Sequence, residues 1–290
     1  MKKIALVLQR TIGDVILGNV LVKNIKLKYL DSTIDWFVNS EYNSLVEDNP
    51  NVSTIVNLKD WEDVLRRICM GYDVVLVPQQ TNAIDNSWHQ HEEYRHKHLL
   101  DFYAQRCDLP IIDRKLELYA NGALEGDWSH LQTPTVAIHT KTLADVKDWS
   151  KFTELVKELN KKNYSVIQLG TKSDIAIDGA TKVTLSLKEI MLFFKEKSCN
   201  IFVGLDSGLT YISAAFGTPT IQIMGATTNV TSGAWGNDVV TLLSEQNKEC
   251  VKQRKGIRCH GILGGKCQFG GKCINNISVG QVLNEIKNNI

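Results

Sequence analysis

The stretch CNIFVGLDSGLTYISAAFGTPTIQIMGATT, residues 199–228, constrains the fold more than any other part of the chain. A short apolar run, Ile201–Val203, leads into Gly204-Leu205-Asp206-Ser207-Gly208. A small-residue segment of helical length, Leu209–Phe216, follows, and a Gly217-Thr218-Pro219 break opens a second apolar run, Thr220–Met224. Short apolar runs on either side of a helix-length segment, punctuated by glycine and proline, read as strand, turn, helix, loop, strand. The start of such a helix exposes unpaired N–H groups and the positive end of the dipole, which suits a phosphate. Ser207 can cap that start, and Gly208 can let a ligand approach the backbone. An ordinary capped βαβ turn explains the same residues, so this stretch alone leaves both readings open.

The rest of the chain repeats the alternation. In the first half, strands are expected at Ile4–Leu8, Thr33–Val38, Thr54–Val56 and Val74–Val77, with helices at Val15–Leu30 and Trp61–Met70. In the second half they are expected at Val136–His139, Ser165–Leu169 and near Lys182–Leu185, with helices at Trp149–Lys161 and Leu187–Lys197. The segment Asn121–Pro134, rich in turn formers and without periodicity, reads as a linker. The expected organisation is therefore α/β, with parallel sheets flanked by helices. Residues 1–131 would form one unit, and residues 132–290 a second unit with a cysteine-containing tail whose last helix packs back on the first. Ligands of such folds sit at the C-terminal ends of the strands.

Several function classes are disfavoured. The 290 residues carry a net charge of +1, which argues against nucleic acid as a partner. No apolar run approaches the roughly 18 residues of a membrane span, and the run Ile4–Leu8 is too short for a signal peptide. A cytoplasmic protein is expected, peripheral at the inner membrane at most. The absence of G-x-G-x-x-G argues against a dinucleotide oxidoreductase.

Three motifs then recur in a recognisable order: Gly13-Asp14 after the first strand, Lys147-Asp148-Trp149 in the second half, and Asp206-Ser207-Gly208-Leu209-Thr210-Tyr211. Over nearly its whole length the chain resembles glycosyltransferase family 9, the ADP-heptose:lipopolysaccharide heptosyltransferases, departing from it where Tyr211 replaces the usual His. The resemblance implies a GT-B architecture of two facing Rossmann-like domains, the first binding the acceptor and the second the nucleotide sugar. It implies an inverting transferase that needs no cofactor for catalysis and moves a heptose or related sugar from ADP-heptose to a glycan or lipid-linked acceptor. A protein O-heptosyltransferase and a non-catalytic sugar-nucleotide-binding protein are the alternatives.

Within that resemblance Asp14 is the general base that takes the acceptor hydroxyl's proton, although its position equally suits a helix cap. Arg10, Thr11 and Gly13 beside it are assigned to the acceptor. The donor diphosphate, which gathers charge as it leaves, falls to the backbone of Ser207, Gly208 and Leu209 and to the Lys147 ammonium. Thr142 can add a hydroxyl, Asp206 orients the turn or contacts the sugar, and Tyr211 completes the motif. Leu185 matches the position that packs on adenine and is equally readable as core; Asp174 is a candidate for the ribose.

Two clusters lie outside the motifs. The segment Trp88–His98 carries His89, His91, Arg95, His96 and His98. Its spacing matches no defined metal motif, and in the first half it is assigned to an anionic acceptor through His89, His91 and Arg95. Four of the seven cysteines, Cys250, Cys259, Cys267 and Cys273, fall in a C-x8-C-x7-C-x5-C array. Four thiolates can hold a structural zinc or iron, and similar tail cysteines hold iron in some protein-heptosylating members of the family; free or partly paired thiols are the other reading.

Overall fold

The computed structural model describes residues 1–9, 11–58, 62, 66–67, 71–78, 97–126, 134–245 and 273–290. The first half contains strand β1 (Lys2–Val7), helix α1 (Ile12–Lys28), β2 (Ser32–Val38), β3 (Thr54–Asn57), β4 (Val74–Leu76) and helix α2 (Leu99–Arg106). The second contains β5 (Thr135–His139), α3 (Phe152–Lys161), β6 (Ser165–Leu169), β7 (Thr181–Val183), α4 (Leu187–Lys195), β8 (Ile201–Leu205), α5 (Gly208–Ala215), β9 (Thr220–Met224), β10 (Val239–Leu243) and α6 (Val279–Asn288). Among the described residues no helix is long and apolar enough to cross a membrane.

The strands form two sheets, ordered β3-β2-β1-β4 and β10-β9-β8-β5-β6-β7. Every pairing is parallel. Counted from β5 as strand one, the second sheet runs 3-2-1-4-5-6 from its β7 edge, the Rossmann order. Strand order reverses between β1 and β4 in one sheet and between β5 and β8 in the other. The crevices beyond those strand ends are where ligands of open α/β sheets bind.

The expected α/β class and parallel sheets are therefore present, with small shifts of boundary. Helix α1 starts at Ile12 rather than Val15 because Thr11 supplies an N-cap, accepting from the Asp14 N–H. Strand β10 was not anticipated: it is a half-buried edge strand with little of the apolar density that marks central strands. Most of the helix expected at Trp61–Met70 lies outside the described residues.

Helix α1 is buried on most of its surface, Asn19 and Asn24 included. Asn24 Nδ2 donates to the Asp113 carbonyl at 2.7 Å, and Asn24 Oδ1 accepts from the Ile112 and Asp113 N–H groups, so its burial leaves no polar atom unmatched. Gly18 lets the helix close on the sheet: a Cβ there would lie 2.3 Å from the Trp36 ring. Trp36 is fully buried and donates Nε1–H to the Leu8 carbonyl at 2.9 Å; truncating such a side chain costs about 3–5 kcal/mol.

One apolar cluster runs from Ile4, Leu17 and Leu21 on the first sheet and α1 through to Phe194, Phe202, Leu209 and Ile212 of the second half. A second surrounds Trp149, Phe152, Leu155 and Val203, and the last helix joins it through Val279, Val282 and Ile286. The expectation that the last helix returns to the first half is thus corrected. It packs on α3 and β9 of the second, because Trp149 Nε1–H and the Lys151 ammonium both bond the Ile277 carbonyl at its entrance.

Candidate functional site

The first part of the site lies at the reversal between β1 and β4. Beyond β1 the chain turns through Thr11, whose φ of 40° is unusual for a β-branched residue and stores strain of about 1–3 kcal/mol. Thr11, Ile12, Gly13 and Asp14 then make the first turn of α1. Asp14 is not the cap. Its N–H is capped by Thr11 Oγ1 at 3.4 Å, while the Thr11 hydroxyl donates to Asp14 Oδ2 at 2.7 Å. The Tyr103 hydroxyl, from α2, donates to Asp14 Oδ1 at 2.7 Å. Both carboxylate oxygens thus accept hydrogen bonds beside the positive end of a helix, an arrangement that favours the ionised form. Tyr42 is held protonated, its pKa pushed up to about 12 by burial, by a hydrogen bond with Glu41 and by the nearby Asp14 charge.

The second part lies at the reversal between β5 and β8. Ser207 stands at the N-cap of α5 but caps nothing with its side chain; its Oγ lies 3.2 Å from His139 Nδ1, at the end of β5. The first turn of α5 carries no acidic residue. Among the described residues, its leading N–H groups thus have neither a cap from Ser207 nor an acid in the first turn, a setting that attracts an anion. Burial lowers the His139 pKa to about 4, so the imidazole is neutral.

Lys147, at the end of the helical turn Asp145–Lys147, pairs with Asp206 at 2.7 Å, with side chains 14% and 7% exposed. Asp206 also accepts from Thr227 and, at 3.3 Å, from Ser232. The motifs around Lys147 and Asp206, far apart in sequence, therefore meet at one ion pair. Trp149 points the other way and belongs to the core.

The remaining sequence candidates are placed as follows. The Thr142 hydroxyl is engaged with Asp148 Oδ1 at 2.9 Å and the Ala144 carbonyl at 3.0 Å, bracing the loop after β5. Leu185 is half-buried beyond the end of β7. Asp174 accepts from the Thr171 N–H at 2.7 Å. Tyr211 is buried, donates to the Ser232 carbonyl at 2.7 Å and lies edge-on to Trp235. Arg10, His89, His91 and Arg95, and with them Cys250, Cys259 and Cys267, lie outside the described residues. Cys273 is half-buried at the start of a short helical turn. Among the described residues, no group of three or more His, Cys, Asp or Glu is placed to hold a metal ion.

The two parts face each other. A Cβ on Gly208 would lie 2.3 Å from Ile12 Cγ2, and one on Gly13 would lie 3.8 Å from the Tyr211 ring. Gly208 is therefore needed for the approach of the two helix starts, a reason the sequence did not reveal. His98, at the head of α2, accepts from the Leu100 N–H through Nδ1 and meets the Gly233 carbonyl through Nε2 at 3.0 Å. The Leu99 N–H donates to the Thr231 carbonyl at 2.9 Å. Sequence reasoning missed Tyr103, His139, Thr227 and Ser232. Only His139 carried a signal, as the polar residue ending a strand just ahead of the Lys147 motif.

Residues 74–260 match glycosyltransferase family 9 (heptosyltransferase), and no curated protein matches the chain by sequence. The fold resembles a family 9 glycosyl transferase from Veillonella parvula DSM 2008, at 17% identity over 99% of this chain and 96% of that one, TM-score 0.76. It also resembles the ADP-heptose LPS heptosyltransferase II of E. coli, at 15% identity over 99% and 98%, TM-score 0.69. A third likeness is to the dodecameric iron-containing heptosyltransferase TibC of enterotoxigenic E. coli H10407, solved with ADP-D-beta-D-heptose, at 15% identity over 99% and 75%, TM-score 0.71. These neighbours share the GT-B arrangement of two facing parallel sheets, and the family match covers well over half of the chain. The chain belongs to glycosyltransferase family 9, the heptosyltransferases, and is a glycosyltransferase.

Proposed function

We propose that the protein transfers a heptose from ADP-heptose, with inversion at the anomeric carbon, to a hydroxyl of a lipopolysaccharide core sugar or another surface glycan. The observation that carries this reading is the opposition of the two helix starts. One presents a carboxylate fixed by two hydroxyl donors. The other presents N–H groups without a side-chain cap, near the Lys147–Asp206 pair.

In the reaction the acceptor oxygen attacks the anomeric carbon as its proton passes to the Asp14 carboxylate. The bond from that carbon to the β-phosphate oxygen breaks, and ADP leaves with the bonding pair. The leading N–H groups of α5 and the Lys147 ammonium meet the charge that develops on the diphosphate. A single displacement with one base inverts the centre, and this reading needs no metal because Lys147 and the helix supply the positive charge.

ADP-heptose is favoured as donor because two of the structural neighbours are named for it or hold it. Calorimetry decides the donor side. Saturable binding of ADP-heptose that ADP displaces is expected; failure of both to bind would overturn the donor reading.

A further inference from the structure

Helix α2 comes from outside all three sequence motifs, yet it delivers a buried side chain to the proposed base. Tyr103 is 5% exposed, and its hydroxyl lies 2.7 Å from Asp14 Oδ1. The body of α2 packs on α1, and its head is anchored on the second half of the molecule. The Leu99 N–H bonds the Thr231 carbonyl and His98 Nε2 faces the Gly233 carbonyl. Because His98 Nδ1 accepts from Leu100 N–H, the ring proton sits on Nε2 and donates to Gly233. Arg114 further pairs with Asp101 on α2 and lies over the Trp235 ring. The loop that receives these contacts also supplies Thr227 and Ser232 to Asp206, the partner of Lys147.

We propose that Tyr103 is a positioning residue for the Asp14 base, set in place by the docking of α2 on the loop between β9 and β10 of the nucleotide-sugar half. The terminal torsion of an aspartate is broad and roughly two-fold, so a carboxylate held at one oxygen still swings. Thr11 fixes Oδ2 from within the same helix turn, and Tyr103 fixes Oδ1 from a different element. Held at both oxygens, the carboxylate is confined to one orientation. Among the described residues, the titratable groups beside Asp14 include Tyr103 on α2 and Tyr42, itself bonded to Glu41, on the turn after β2. The arrangement also ties the base to closure of the two halves, because the tyrosine that holds it is carried on a helix whose head is anchored across the interface.

The inference rests on Asp14 being the base, and the test separates the two. In Tyr103→Phe the ring and its packing remain while the donor is lost. A donor to the ionised form lowers a carboxyl pKa, so the Asp14 carboxyl, followed by 13C NMR and assigned with Asp14→Asn, should titrate about 0.5–1 pH unit higher in Tyr103→Phe. Hydrolysis of ADP-heptose, with water as the acceptor and ADP and free heptose as products, should slow about 10–100-fold, with donor affinity within about two-fold of wild type. Incorporation of 3-fluorotyrosine, a more acidic phenol in an unchanged fold, should move the carboxyl the opposite way and keeps the test open if the Phe variant folds poorly. An Asp14 titration indifferent to both changes overturns the role of Tyr103. Undiminished turnover in Asp14→Asn overturns the base reading itself, whatever Tyr103 does.

Discussion

The two strand–turn–helix units that meet at the site share a backbone design and differ in how the helix start is finished. At α1 the start is closed by its own side chains: Thr11 caps it, and an acid occupies the first turn. At α5 the Ser207 side chain turns aside to His139, and no acid follows. The positive end of one helix is thus matched by Asp14, while that of the other is left for an anion to satisfy. One geometry yields a carboxylate held by two hydroxyls in the first half and, in the proposed reading, a phosphate receptor in the second. The difference lies in a few side chains around two glycine-bearing turns.

This contrast breaks most sharply at Asp14. Asp14→Asn should lower kcat by about 10²–10⁴ with donor affinity nearly intact, because in the proposed reading the charge it removes serves the acceptor; single-turnover kinetics with ADP-heptose check it. The next largest effect belongs to the opposite side. Lys147→Ala should weaken ADP binding by about 1.5–3 kcal/mol, as for loss of a charge-assisted bond, measured by calorimetry. It also removes the Lys147 ion pair of Asp206, 7% exposed, so the melting temperature should fall. The double variant Lys147→Ala with Asp206→Asn should recover stability without recovering ADP affinity. Recovery of both would assign Lys147 to folding alone.

The backbone design that the two units share was legible in the sequence. The apolar runs located both ends of the Rossmann-like sheets, and the motifs placed Asp14, Lys147 and Ser207–Leu209 at the ends of strands. Their finishing chemistry was not legible, because it arises between residues remote in sequence. Tyr103 reaches Asp14 across 89 positions and His139 reaches Ser207 across 68. A lone Ser before a helix reads as a cap, and only the nearby imidazole shows why it is not one. Trp149 reads as part of a binding motif, whereas its indole N–H holds the entrance of the last helix. Strand β10 and helix α2 escaped because both are short and weakly patterned, stabilised by what they pack on.

Smaller effects sharpen the comparison. His98 spans the interface between the two units, and burial lowers its pKa from 6.5 to about 4. The unfolded chain binds the proton more tightly, so its contribution to stability is complete above pH 6.5 and is lost as the pH falls toward 4. Acidification to pH 5 should cost on the order of 2 kcal/mol through this residue. Urea midpoints at pH 7 and pH 5 should differ less in His98→Gln than in wild type. The smallest effect is at Ser207. Because it caps nothing, Ser207→Ala should cost only its bond to His139, about 0.5–1 kcal/mol, and nothing in a His139→Phe background, whereas Ser186→Ala, which breaks the capping box at α4, should cost about 1 kcal/mol in either background. Thermal melts of the pair check whether the α5 start is open as described.

The division of labour between the two helix starts is tested most directly by measuring ADP-heptose affinity and ADP release in Asp14→Asn and Lys147→Ala side by side. The account predicts that Asp14→Asn binds the donor like wild type and fails to turn it over, while Lys147→Ala loses affinity. An Asp14→Asn protein that turns over normally, or a Lys147→Ala protein that binds ADP-heptose as tightly as wild type, would contradict it.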